Sequence, residues 1–518
     1  MMRFQSSYSI KNRTSWSLAI VAIVFCGPVL AFGSLWESDR QGPPEAVPLQ
    51  TATKLEQITA TLEREVPKLM NAADVPGLSI AIVRNGELAW QHGFGFKDSI
   101  AKTPVTDDTV FEAASLSKPV FAYAVMKLVD SGKFDLDKPL NEYLPGNYDV
   151  GPDPQLSLIT ARRVLSHTTG FPNWRGNDPQ LKIYFTPGER FSYSGEGFVY
   201  MAKVIEHLTH EKFNDFMKKM VFGPLGMTSS SYVWEPGYEN RKVSRHNSLG
   251  LPVDQNKPTE PNAAASLHTT VQDYARFVAA ILNGTGLKEE TRKQMLTPQI
   301  RVGMGGTNAT GQPPEKLSPN VSWGLGVGLQ TTADGLSFWH WGDNGECKAF
   351  VEAFDRQKIG MVMFANGSNG LSFISEIVSI AIGGQQPAVA WLNYESYKSP
   401  ARLILKSIIA KGAQLALHEY CEARKNRGPS ERLTEAQMNR LGYELLYSVK
   451  RVKDAVEVFK LNVEDFPESS NTYDSLGEAY VVDGNDELAI KNYQRSVELN
   501  PKNDNGIQAL KKLLEKKK

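Results

Sequence analysis

Apolar and polar positions follow two different periods along this 518-residue chain. Leu78 to Val83 and Glu87 to Phe94 read as β-strands around Asn85-Gly86, a dipeptide that favours a tight two-residue hairpin. Further β-type runs come only much later, at 323–330, 336–342, 349–355 and 358–366. Between them the pattern is largely helical with long loops, and a helical pattern also begins near residue 55, before the hairpin. Strands at both ends with helices between predict an α/β architecture. One antiparallel sheet collects its strands from both ends and is flanked by helices.

The character changes after Gly384. Residues 386–400 carry Pro387 and Pro400 with no clear period and read as the start of a connector. Beyond it the chain is helical and repetitive. Ala455, Phe459 and Pro467 recur 34 residues later as Ala489, Tyr493 and Pro501, and the second copy adds Tyr473, Leu476, Gly477, Tyr480 and Gly484. That period and those positions resemble the tetratricopeptide repeat, in which small residues let two helices approach and aromatic residues fill the groove between hairpins. The first copy departs from the pattern, with Gly442-Tyr443 where a Leu-Gly pair is expected. The amphipathic segment 401–424 and the basic terminal helix are expected to cap the short stack.

At the other end, Arg3, Lys11 and Arg13 precede an apolar run from Trp16 to Phe32, with Val29-Leu30-Ala31 as a small-residue cleavage site. The predicted organisation is therefore a signal peptide or anchor over 1–31 and a linker over 32–54. The sheet-and-helix domain follows over 55–385, then a connector over 386–430 and repeats over 431–518. Export implies a periplasmic or extracellular location, with membrane contact only through the N-terminal segment.

Charge removes some partners. Lysine plus arginine number 57, as do aspartate plus glutamate, which gives no electrostatic reason to expect nucleic acid. The helical repeats are expected to offer a surface to a protein partner. Cys347 and Cys421 are far apart in sequence and predict no disulfide framework, while the eight histidines show no zinc-ligand spacing. No metal or cofactor is expected.

Two Ser-x-x-Lys matches stand out, Ser99 to Lys102 and Ser115 to Lys118. The first falls in a polar loop after a strand, where chance explains it. Ser115 follows VFEAA and opens an apolar helix through Val120, Ala124, Val125 and Leu128, so that Lys118 lies on its face one turn on. A serine hydroxyl needs an adjacent base to become a nucleophile, and a desolvated lysine can serve as one. On these four residues alone, a serine at a helix start beside an exposed lysine is an equally good reading.

The surroundings carry more. FEAASLSK, RVLSHTTGF, FTPGERFSYSGEGF, PLGM and HWGDNG, in that order across residues 75–385, resemble the class C β-lactamase and penicillin-binding protein superfamily. The resemblance implies a β-lactamase-like transpeptidase fold and an acyl-serine mechanism on Ser115 and Lys118. It also implies that Tyr193 is the proton carrier, its pKa lowered by the lysine cation. In the family's Tyr-x-Asn motif an asparagine binds the substrate's acylamino group. Gly195 stands there, which implies weaker β-lactam recognition and open space beside Tyr193. His340-Trp341-Gly342 matches the family's site-lining strand, Gly342 allowing close approach to substrate, and the Asp343 N–H is expected to complete an oxyanion hole with that of Ser115. His167 in Ser166–Gly170 is expected to form a turn, and Trp174, Trp323 and Trp341 either line a cleft or pack. The expected function is an exported serine hydrolase acting on small amides, esters or D-amino-acid peptides. The alternatives are a non-catalytic binding module working through the repeats, and a β-lactamase.

Overall fold

The computed structural model describes residues 47–516 other than 147, 177, 254 and 426–431. The export segment expected over 1–31 lies outside the described residues, as do positions 32–46 of the linker. No described helix is long and apolar enough to cross a membrane.

Asn85 and Gly86 both hold positive φ, 53° and 73°, as a primed hairpin turn requires. They join β1 (Gly77–Arg84) to β2 (Glu87–Asp98). The remaining strands of the main sheet are β3 (Thr103–Pro104), β4 (Ile300–Gly303), β5 (Leu317–Trp323), β6 (Gly328–Thr332), β7 (Gly335–Asp343), β8 (Lys348–Phe354) and β9 (Ile359–Ala365). They form one nine-stranded sheet in the order β3-β2-β1-β9-β8-β7-β6-β5-β4, antiparallel throughout. The hairpin enters the sheet where β1 pairs with β9, with Leu78 opposite Ala365. Three strands, β3, β4 and β5, have no counterpart in the apolar pattern, and the run at 323–330 is divided by a turn closed by Gly324 N–H on the Val327 carbonyl at 2.9 Å.

The central strands β1, β8 and β9 are buried on both faces, which is why they lack a regular polar alternate. Leu78, Ile80 and Ile82 face α1 (Leu55–Ala73), whose Ile58, Leu62, Val66 and Met70 recur at helical spacing. Ala81, Val83, Val362 and Phe364 face the opposite core, shared with α2 (Ser117–Asp130), α3 (Gly195–Thr209) and α4 (Val271–Asn283).

The domain boundary expected at residue 385 does not coincide with an edge of the core. A short helix, Pro387–Leu392, buries Ala388 and Trp391 in the α1 face of the sheet, and Tyr397 follows them. The Trp391 indole N–H donates to the Gly303 carbonyl at 2.7 Å, and the Ala388 N–H to Gln330 Oε1 at 2.9 Å. A separate helical core begins at Ala401 and runs to Leu513.

That C-terminal region holds seven helices among the described residues, from Pro400–Lys411 to Asp504–Lys516. A Cβ at Gly477 would lie 3.2 Å from the Tyr493 ring, and one at Gly442 would lie 2.5 Å from the Phe459 ring. The two copies thus use one contact, with a residue more between its partners in the first copy. Glu435–Tyr443 absorbs the extra residue by running into a π turn, Glu444–Ser448. The Leu-Gly pair missing at 442–443 is therefore present one position earlier, as Leu441-Gly442. Lys406 ties this region to the sheet domain through the Ala72 carbonyl at 2.6 Å and Asp74 at 2.9 Å.

Candidate active site

Ser115 lies in a single 3-10 turn, Ala114–Leu116, that leads into α2. Ala114 holds φ at 49°, an unfavourable left-handed conformation for a residue with a Cβ. The turn is held by bonds on every side. The Ser117 hydroxyl donates to the Ala114 carbonyl at 2.5 Å and accepts from the Leu267 N–H at 3.0 Å. Tyr274 and Tyr232 cap the Leu116 and Ser117 carbonyls at 3.0 and 2.7 Å. Beneath it, Glu112 is paired with Lys242 at 3.1 Å, with side-chain exposures of 2% and 0%.

Lys118 is fully buried, which removes the reading of a helix-start serine beside an exposed lysine. Its amine donates to Ser115 Oγ at 3.0 Å and to the Ala264 carbonyl at 2.8 Å, and among the described residues no carboxylate is paired with it. Burial drives its pKa well below the ordinary lysine range. The Tyr193 ring centroid is 4.7 Å from this nitrogen. The tyrosine responds against expectation: burial pushes its pKa up, and the nearby Ser115 hydroxyl offsets only part of that rise. A cation that lowers the phenol pKa is thus not what the site provides. It favours a neutral amine and a neutral phenol.

His167 does more than form a turn. Its φ is 55°, and its ring stacks on Tyr193 with centroids 4.2 Å apart while Nδ1 accepts the Ser194 N–H at 3.0 Å. It is the clearest positioning residue that the motif left unassigned. His340 lies on β7, 6.1 Å from Tyr193 between ring centroids. Its Nδ1 is 2.7 Å from the Trp341 carbonyl, which leaves Nε2 as a buried acceptor with no bonded partner. Burial, with a further push from Lys118, brings the His340 pKa down to about 3. Trp323 and Trp341 pack behind these rings.

Gly342 is required by an approach other than the one expected. A Cβ there would lie 2.4 Å from the Ala113 carbonyl, so the glycine lets β7 press against the turn that carries Ser115. The Asp343 side chain is fully engaged: it accepts from Gly345 N–H at 2.9 Å, pairs with Lys348, and accepts the Tyr394 hydroxyl at 2.7 Å. Tyr394 belongs to the segment expected to be a connector, so that segment reaches the site.

The space expected beside Gly195 is filled. A Cβ at Gly195 would lie 2.6 Å from the Trp174 indole, whereas Trp174 itself remains 40% exposed. Ser99, by contrast, lies in a turn away from any helix, and Cys347 is buried, its thiol pushed up to about 12 by burial. Cys347 and Cys421 are both free.

The description Beta-lactamase matches residues 62–382, more than half of the chain. Protein flp of Staphylococcus aureus (strain MRSA252) is 24% identical over 333 residues, which cover 60% of this chain and 62% of that protein. Penicillin-binding protein 4* of Bacillus subtilis (strain 168) is 29% identical over 271 residues, 44% of this chain and 57% of that protein. The chain spans about three-fifths of the length of these relatives. The solved D-alanine carboxypeptidase AmpC of Burkholderia cenocepacia superposes with a TM-score of 0.52 at 19% identity, over 63% of this chain and 99% of that one, a likeness of fold. A match over most of the sheet domain, on a fold that joins Ser115, Lys118 and Tyr193 in one site, places the chain in the beta-lactamase family.

Proposed function

We propose that the protein is an exported serine hydrolase that works through an acyl-Ser115 intermediate on small amides, esters or D-amino-acid peptides. The observation that carries this reading is the buried Lys118 amine 3.0 Å from Ser115 Oγ, in surroundings that favour its neutral form. A neutral amine has a lone pair with which to take the serine proton. Ser115 Oγ attacks the substrate carbonyl carbon, and Lys118 becomes an ammonium as that bond forms. The carbonyl oxygen gathers negative charge opposite the backbone N–H groups of Ser115 and Asp343, donors of a kind worth about 10²–10³ each in rate. The proton then passes through the Tyr193 hydroxyl to the leaving amine or alcohol, whose bond to carbon breaks. Water attacks the acyl ester by the reverse route and releases the acid. Lysine is thus the immediate base in this reading, and tyrosine the relay.

Export rests on the basic and apolar segment at 1–31, and we read the C-terminal helices as tetratricopeptide-like repeats. A fluorophosphonate probe tests the chemistry. Mass spectrometry should find the adduct on Ser115, and Ser115→Ala should abolish both labelling and ester hydrolysis. Labelling elsewhere, or hydrolysis that persists in Ser115→Ala, overturns the proposal.

A further inference from the structure

Gly195 does not adopt the left-handed backbone that demands glycine, so its lack of a side chain has another cause. The cause is Trp174. A Cβ would meet its Cη2 at 2.6 Å and Cζ2 and Cζ3 at 2.9 Å, so the benzo edge of the indole rests on the Gly195 backbone. The segment bearing Trp174 is bound to the start of α3 on both sides. Before it, the Gly195 N–H donates to Asn173 Oδ1 at 3.0 Å, and the Ser194 hydroxyl donates to the Pro172 carbonyl at 2.9 Å. After it, the Arg175 N–H donates to Glu196 Oε1 at 3.1 Å, and the Arg175 guanidinium donates twice to Glu196 Oε2, at 3.0 and 2.7 Å. This pair is largely buried, with side-chain exposures of 17% and 9%.

A large apolar ring is therefore held against Gly195, itself two residues along the chain from Tyr193, and Trp174 keeps 40% of its surface exposed. Leaving that surface wet is unfavourable, and a group that covers it on binding recovers the loss. Aromatic faces favour other rings in stacked or edge-on arrangements. An indole has a single N–H donor and no acceptor, so what it offers an acyl group is chiefly apolar surface. We infer that Trp174 is the specificity-determining wall of the acyl subsite, selecting substrates whose acyl group is an apolar ring or alkyl chain. The inference rests on the serine hydrolase reading.

The test compares p-nitrophenyl phenylacetate with p-nitrophenyl acetate, which share a leaving group and differ only in the acyl group. The readout is the ratio of their kcat/KM values on one preparation, from which the folded fraction cancels. The natural protein should favour the phenylacetyl ester. Trp174→Ala should lower the ratio on the order of tenfold, and Trp174→Phe should restore most of it. Gly195→Asn should also lower the ratio, because its Cβ displaces the indole. A natural ratio below one, a ratio unchanged in Trp174→Ala, or a raised ratio in Gly195→Asn overturns the inference while leaving the hydrolase intact. Absence of Ser115-dependent turnover of either ester instead removes the hydrolase reading, and the subsite with it.

Discussion

Cutting the chain at Gln386, where the sequence pattern breaks, should destroy the hydrolase, while cutting it at Ser399 should spare it. The shorter chain loses Ala388, Trp391 and Tyr397 from the α1 face of the sheet. Trp391 alone is 9% exposed and packs against Phe191, Trp339 and Trp341 with ring centroids 6.1, 5.8 and 6.3 Å away. Truncating such a residue costs about 3–5 kcal/mol, and the Tyr397 loss is of similar kind. The orphaned Gly303 carbonyl adds about 1–3 kcal/mol. Together these approach the roughly 5–15 kcal/mol by which a domain is stable. The site suffers separately, since Tyr394 no longer holds Asp343. Thermal unfolding and ester hydrolysis, the latter normalised to fluorophosphonate-titrated sites, report the two losses. The chain ending at Ser399 should melt cooperatively with kcat within about twofold of the full chain, the variation that remote changes leave. A chain ending at Gln386 that melts and turns over like the full protein would refute the assignment of 387–399 to the hydrolase core.

Lys118→Met should abolish turnover and change the pH dependence of stability. The native lysine sheds its proton well below 10.5, so between those values the unfolded chain binds the extra proton and wild-type stability rises with pH. Melting temperatures of the variant relative to wild type should accordingly be most favourable at the acidic end and lose that advantage as pH approaches 10.5; a pH-independent difference contradicts the assignment. Glu112→Gln strands the buried Lys242 ammonium and should lower stability by about 3–5 kcal/mol in denaturant titration. The paired change Glu112→Leu with Lys242→Met should recover most of it.

What the sequence makes legible follows from locality. The Asn85-Gly86 hairpin, the strands from β7 to β9 and the Ser115–Lys118 helix start are each set by residues near in sequence. The strand Leu317–Trp323 is not: Ser318, Asn320 and Ser322 alternate as in a strand, but Pro319 inside the run argues against one. The part played by Trp391 and Tyr394 is invisible for a related reason: proline-flanked and aperiodic, their segment gains meaning only from the sheet it covers. Gly195 misleads more instructively. A missing side chain reads as space in a sequence, yet the occupant comes from residue 174, in another loop. The Tyr193 electrostatics reverse because proximity to lysine is legible while burial of both groups is not.

The pairing of the first hairpin with the last strand of the sheet bears on how the molecule is made. The Gly77 N–H reaches its partner, Asn366 Oδ1, 289 residues along the chain. Until β9 leaves the ribosome, one edge of β1 has nothing to bond. An unpaired, largely apolar edge strand is a template for aggregation. Closing so long a loop also delays the productive pairing, since its entropy is lost before the contact forms. The nascent protein therefore depends on something else to shield β1 through most of its synthesis. α1, which precedes the strand in the chain and is made before it, packs against one face of β1 in the folded protein but leaves that edge to β9.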